Sequence, residues 1–149
     1  TPDYQPAQGI GQLAGGTPPL LSLLALEDAV GVLTGVSTAD LRAKGTALTS
    51  LFIDLITEKC PGLTVLSPLA ADRRGAQVSL RFEHAHELVA ALIEHGVIGD
   101  FRAPDIARFG FAPAYLRFVD TWDAAATMAR VVDTGEYKAS RFAKRSTVT

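Results

Sequence analysis

The feature that most constrains this chain is a run in which apolar residues cover nearly every face of one helix. Leu20, Leu21, Leu23, Leu24, Leu26, Ala29, Val30 and Leu33 fall within fourteen positions. A helix that is apolar all round is buried against more than one layer. The chain has 149 residues, about the size of one domain. So small a body predicts a neighbour for that helix: another domain or another subunit. Thr17-Pro18-Pro19 predicts its start, with the Thr17 hydroxyl as cap and Pro18 at the first helical position, where a missing amide costs nothing. The most apolar stretch, Pro18 to Leu26, is too short to cross a bilayer. No positive–apolar–small leader opens the sequence, so no signal peptide is expected.

The remaining elements follow from periodicity and punctuation. Residues 1–16 hold several Gly and Pro and read as loop. A second helix begins at Ser37, with Asp40 three residues on as a capping-box variant. Leu41, Leu48, Leu51, Phe52, Leu55 and Ile56 give it helical spacing, and Pro61-Gly62 ends it. Residues 63–66 form a short strand candidate. Residues 76–82 alternate, with Val78, Leu80 and Phe82 opposite Gln77, Ser79 and Arg81, which predicts a half-buried strand. Asp72-Arg73-Arg74-Gly75 supplies the turn before it. His86 to His95 reads as a helix stopped by Gly96. Residues 97–101 and 106–111 read as strands. Residues 118–132 read as a last helix, with Trp122, Ala126, Ala129 and Val132 toward the core. Residues 136–149 are polar and basic and are expected to fray. The order predicts an α+β fold: a small, mostly antiparallel sheet with helices packed on one face. The compact domain is expected over 17–135, with 17–34 as a connecting helix.

Composition narrows the function. Apolar residues at 48% and charged residues at 20% are enough for a real core, and a net charge of −2 implies no polyanion partner. A single cysteine, Cys60, excludes an intrachain disulfide and favours a reducing, cytoplasmic setting. It reads as a small core hydrophobe.

Arg108 is the most informative position. On its strand it shares a face with Ile106, Gly110 and Ala112. A guanidinium among small apolar neighbours needs a partner, and its rigid fork matches a carboxylate bidentately. A substrate carboxylate clamp, an internal salt bridge and an edge-exposed arginine all fit that spacing. Gly15-Gly16-Thr17-Pro18 is a glycine-flanked helix start where a phosphate could meet exposed amides and the Thr17 hydroxyl. The two prolines remove amides there, which weakens that reading and favours a plain cap after a flexible turn. His84, His86 and His95 lack the acidic or thiol companions of a metal site, so no metal is expected. Arg73-Arg74 and the tail residues Lys138, Arg141, Lys144 and Arg145 read as solvated surface. Without interleaved aromatics they suggest no nucleic-acid partner.

Four strings then carry a resemblance: GGTPPLLSLLALEDAV (15–30), LRAKGTALTSLFIDLI (41–56), RGAQVSLRF (74–82) and GVIGDFRAPDIARFGFAPAYLRFVDTWDA (96–124). Together they span about residues 8 to 133. The chain resembles the C-terminal small domain of kynureninases. That resemblance implies a homodimeric pyridoxal 5'-phosphate (PLP) enzyme of the aspartate-aminotransferase fold, acting in the kynurenine pathway of tryptophan catabolism. It implies hydrolysis of L-kynurenine or 3-hydroxykynurenine to anthranilate or 3-hydroxyanthranilate and L-alanine. It implies that Arg108, in IARFGFAP, grips the substrate α-carboxylate. It implies that Thr17, in GGTPP, approaches the PLP phosphate from the partner subunit.

One departure from the family pattern is large. The family's Schiff-base lysine lies well upstream of the GTPP segment, in a large domain, whereas sixteen residues precede Thr17 here. Lys44, Lys59, Lys138 and Lys144 are the lysines present, and none has a matching context. The chain by itself is therefore expected to be inactive, with residues 1–16 as a linker from that missing large domain. Two other readings stand beside this one: a class V aminotransferase relative such as a desulfurase, or a non-catalytic ligand-binding or dimerisation module. The all-apolar first helix predicts that the isolated chain hides this surface by self-association. Light scattering checks this, and a monodisperse monomer would contradict it.

Overall fold

The computed structural model describes residues 5–144. The chain divides into two units between Val36 and Ser37. The first unit holds a short 3-10 turn at Gly9–Leu13 and helix α1, Leu20–Val32. No side chain of α1 is buried, and Leu21 and Val32 are four-fifths exposed or more. The predicted cap does not form. Pro19, not Thr17, stands at the N-cap, and no side chain caps this end. The reason is local: a residue that precedes proline is pushed out of the helical region, so Pro19 keeps Pro18 extended and the helix starts later.

The second unit contains α2 (Thr38–Lys59), β1 (Thr64–Val65), β2 (Gln77–Arg81), α3 (Ala85–Glu94), β3 (Asp100–Arg102), β4 (Ile106–Gly110) and α4 (Phe118–Asp133). Ser37 caps α2, its hydroxyl accepting the Asp40 amide at 3.0 Å, a contact that typically stabilises by about 1 kcal/mol. The four strands form one sheet in the order β1-β2-β4-β3, every neighbouring pair antiparallel. This is the α+β architecture expected, with all the helices of the unit on one face.

Alternation drives that arrangement. Val78 and Leu80 of β2 and Ala107 and Phe109 of β4 are buried, while their neighbours along each strand turn to the other face. The buried set meets Leu48, Phe52 and Ile56 of α2, Leu88 and Leu92 of α3, and Ala125, Met128 and Val131 of α4 in one core. Phe52 is its centre, with ring centroids 5.6 Å from Phe109 and 5.0 Å from Phe111. Helix α3 stops as expected at Gly96, whose φ of +78° suits glycine. Val97 then donates back to the Leu92 carbonyl at 2.9 Å.

Three expectations are corrected. The buried stripe of α4 is Thr121, Ala125, Met128 and Val131, one position before the Trp122–Ala126–Ala129–Val132 stripe read from sequence. Trp122 is half exposed beneath the Lys59 ammonium, 5.4 Å from its ring. Arg74 is not solvated surface but only 4% exposed. Its guanidinium donates to the Pro68 and Leu69 carbonyls at 2.8 and 3.0 Å and to the Ser50 and Thr49 hydroxyls at 2.9 and 3.2 Å. Those oxygens offset the cost of burying the charge and tie the 66–76 connection to α2. Finally, the expected fraying does not extend over residues 136–142. They form two 3-10 turns, with Tyr137 and Phe142 buried. Arg145 and the rest of 145–149 lie outside the described residues.

Gly99 sets how closely the start of β3 approaches the core. A Cβ at that position would stand 2.6 Å from the Phe109 ring, and Phe109 is itself buried and cannot swing away. Gly99→Ala is therefore expected to lower stability by about 1–3 kcal/mol through overpacking. Urea unfolding followed by circular dichroism measures it.

Candidate functional site

The sheet's second face carries the polar half of the alternation: Gln77, Ser79 and Arg81 on β2, and Ile106, Arg108 and Gly110 on β4. Antiparallel register places Ser79 directly opposite Arg108 on one side and Asp100 opposite it on the other. Directly opposed residues share a face, so Ser79, Arg108 and Asp100 form a row across three strands.

Arg108 is partly desolvated there, its side chain 28% exposed. Its Nη2 donates to the Asp100 carboxylate. The same carboxylate lies 3.2 Å from Nη2 of Arg102, two residues along β3. Nε of Arg108 is buried without a hydrogen-bond partner. Space remains beside the fork, because a Cβ built on Gly110 meets nothing within 4 Å. Of the three outcomes that spacing allowed for Arg108, the internal ion pair is the one present. It engages the guanidinium through one nitrogen. Such an arrangement can receive a small anion, and a carboxylate is the anion whose geometry matches the fork.

Thr17 is exposed in the first unit and makes no hydrogen bond among the described residues. With Gly15, Gly16, Pro18 and Pro19 it lines a shallow concavity. Its hydroxyl is available to an anion, while the neighbouring prolines offer no amides. Thr17 and Arg108 belong to separate units.

The other candidates have structural occupations. The His84 ring packs against Phe82 and Tyr137, the His86 ring lies edge-on to Phe101, and Nε2 of His95 is 3.0 Å from Glu136. Contact with His95 first, and with Arg130 second, holds the Glu136 carboxyl below the usual carboxylate range. Asp120 is likewise lowered, by the Arg117 guanidinium and backbone amide at the start of α4. Among the described residues no group of three or more His, Cys, Asp or Glu could hold a metal ion. No helix among them is long and apolar enough to cross a membrane. None of the four lysines lies on a strand; Lys59 pairs with Glu58 at 3.7 Å.

Asp100 is the site residue that spacing along the chain did not single out. A signal was present. The short segment around Pro104-Asp105 reads as a hairpin turn, and folding 100–110 about it sets Asp100 opposite Arg108.

Comparison with known proteins assigns the family. The model of the kynureninase C-terminal domain matches residues 41–128, which include most of α2, the whole sheet and most of α4. The chain belongs to the kynureninase C-terminal domain family. It is 41% identical to the kynureninases of Burkholderia mallei (strain SAVP1) and Burkholderia pseudomallei (strain K96243), over 99% of this chain and 36% of each relative. It is 38% identical to the kynureninase of Pseudomonas fluorescens, again over 99% of this chain and 36% of that protein. The chain thus spans 36% of the length of these curated relatives. Among solved structures, a NifS-like protein shares the fold with a TM-score of 0.62 at 15% identity, covering 87% of this chain and 38% of that one.

In this kynureninase-family domain Cys60 is a core residue, 1% exposed at the end of α2. Burial, reinforced by the Asp133 carboxylate, pushes its thiol up from 9.0 to about 11. Only the thiolate reacts, and a rise of that size leaves about a hundredfold less of it at neutral pH. Native protein is therefore expected to resist Ellman's reagent at pH 7.5 and to release one equivalent once unfolded in guanidinium. Prompt labelling of the native thiol would contradict the assignment.

Proposed function

We propose that this chain is the small domain of a kynureninase, and that the full-length protein hydrolyses L-kynurenine or 3-hydroxykynurenine to anthranilate or 3-hydroxyanthranilate and L-alanine. The family match and the 38–41% identity to kynureninases along the whole segment support that reading. The observation that carries the chain's own part in it is the partly desolvated Arg108 fork. It stands on the sheet face opposite the helices, with one buried nitrogen unpartnered.

In this reading Arg108 receives the substrate α-carboxylate. Two parallel N–H···O bonds fix both the position and the rotation of the amino-acid end. That orientation decides which bond at Cα is aligned for cleavage, and alignment of this kind is worth several powers of ten in rate. When bound, PLP supplies an electron sink for the reacting carbon. The exposed Thr17 hydroxyl has the chemistry to donate to the cofactor phosphate, from the partner subunit of a homodimer. Dimerisation would also cover α1, whose apolar side chains find no burial here. The lysine that carries the cofactor belongs in this reading to the large domain, so the segment alone is inactive. The protein acts in the cytoplasm, with no membrane or nucleic-acid partner.

Two measurements test this. Full-length enzyme supplied with PLP is expected to release fluorescent anthranilate from L-kynurenine, while the present segment releases none. Arg108→Lys in the full-length enzyme keeps the charge and loses the fork. It is expected to raise KM by roughly ten- to a hundredfold, the worth of a charge-assisted hydrogen bond. Unchanged KM would remove Arg108 from the substrate site.

A further inference from the structure

We propose that Asp100 is the resident counter-anion of Arg108: a positioning residue that holds the guanidinium in place and limits how tightly an incoming carboxylate is bound. The inference rests on the reading of Arg108 as the carboxylate clamp. Its own support is the row across the sheet. Register sets Asp100 directly opposite Arg108, and its carboxylate takes Nη2. The residue opposite Arg108 on the other side, Ser79, is neutral. The nearby Arg81–Asp105 pair, 3.3 Å apart, is self-contained.

A half-desolvated guanidinium left alone is costly, and here one of its nitrogens already lacks a partner. Asp100 offsets that cost while no ligand is bound. A carboxylate arriving at the fork therefore meets a nearly neutral pair instead of a bare cation, and its attraction is reduced accordingly. Arg102 completes the device. Its Nη2, 3.2 Å from the same oxygen of Asp100, offers that acid a second cation. Asp100 can lean toward Arg102 as Arg108 engages the ligand, without either acid losing a counter-charge. Carboxylate affinity is then a difference between two anions competing for one fork.

Asp100→Asn tests this in the full-length enzyme, because asparagine keeps an oxygen acceptor for Nη2 and deletes the charge. KM for L-kynurenine is expected to fall roughly two- to fivefold, the scale of a part-exposed ion pair, with the change larger in KM than in kcat. Independently of turnover, the rise in melting temperature given by L-alanine is expected to exceed that of the parent. Arg102→Gln, at a side chain 61% exposed, moves KM the other way, since Asp100 then has Arg108 alone; it serves if the Asp100 variant folds poorly. Arg108→Gln abolishes the effect of Asp100→Asn. Should Asp100→Asn leave KM and the L-alanine shift unchanged, or weaken binding, while Arg108→Gln raises KM, the counter-anion role is overturned and the clamp stands. Should Arg108→Gln leave KM unchanged, the clamp itself fails and this inference falls with it.

Discussion

The organisation of the second unit depends on the antiparallel register of β2, β4 and β3. One alignment does two things at once. It sends Val78, Leu80, Ala107 and Phe109 into the helices, and it sets Ser79, Arg108 and Asp100 in line on the opposite face. A slip of one residue would invert both, burying a charge and exposing the core. The hydrophobic demand of Phe52 and its ring neighbours therefore also holds the polar row in register.

Much of this was legible in the sequence, because the relevant forces are local and periodic. Alternation in 76–82 gave β2 and its two faces, the Ser37 hydroxyl gave the start of α2, and Gly96 gave the end of α3. Arg108 was legible as a cation in need of a partner. What escaped depends on contacts distant in sequence. Nothing within Asp72-Arg73-Arg74-Gly75 tells which arginine turns inward; that is settled by Ser50 and Thr49 on α2 and by the Pro68 and Leu69 carbonyls. The buried stripe of α4 was misread by one position because Trp122, the largest apolar residue available, is satisfied by Lys59 instead of the core. Thr121 and Met128 carry weaker hydrophobic signals yet occupy it.

The segment from 136 to 142 shows how two aromatic anchors outweigh a polar composition. Tyr137 sits edge-on to Phe82 with centroids 5.3 Å apart, and Phe142 is 4% exposed. Just before Tyr137, Glu136 gathers His95, Arg130 and Arg141, and Arg141 reaches Glu94 at 3.1 Å. These exposed charges contribute little individually. They accompany a segment that packs against α3 after α4, and its end, at Arg141, Phe142 and Lys144, lines a cavity that Asp100 also borders.

The hairpin that joins β3 to β4 has a consequence for how the site comes into being. Asp100 and Arg108 are only eight residues apart. Closing so short a span carries a small loop-entropy cost. The Ser79 end of the row, by contrast, waits for a strand brought from across α3. The acid and the base thus enter the nascent sheet on one ribbon, each already supplied with its opposite.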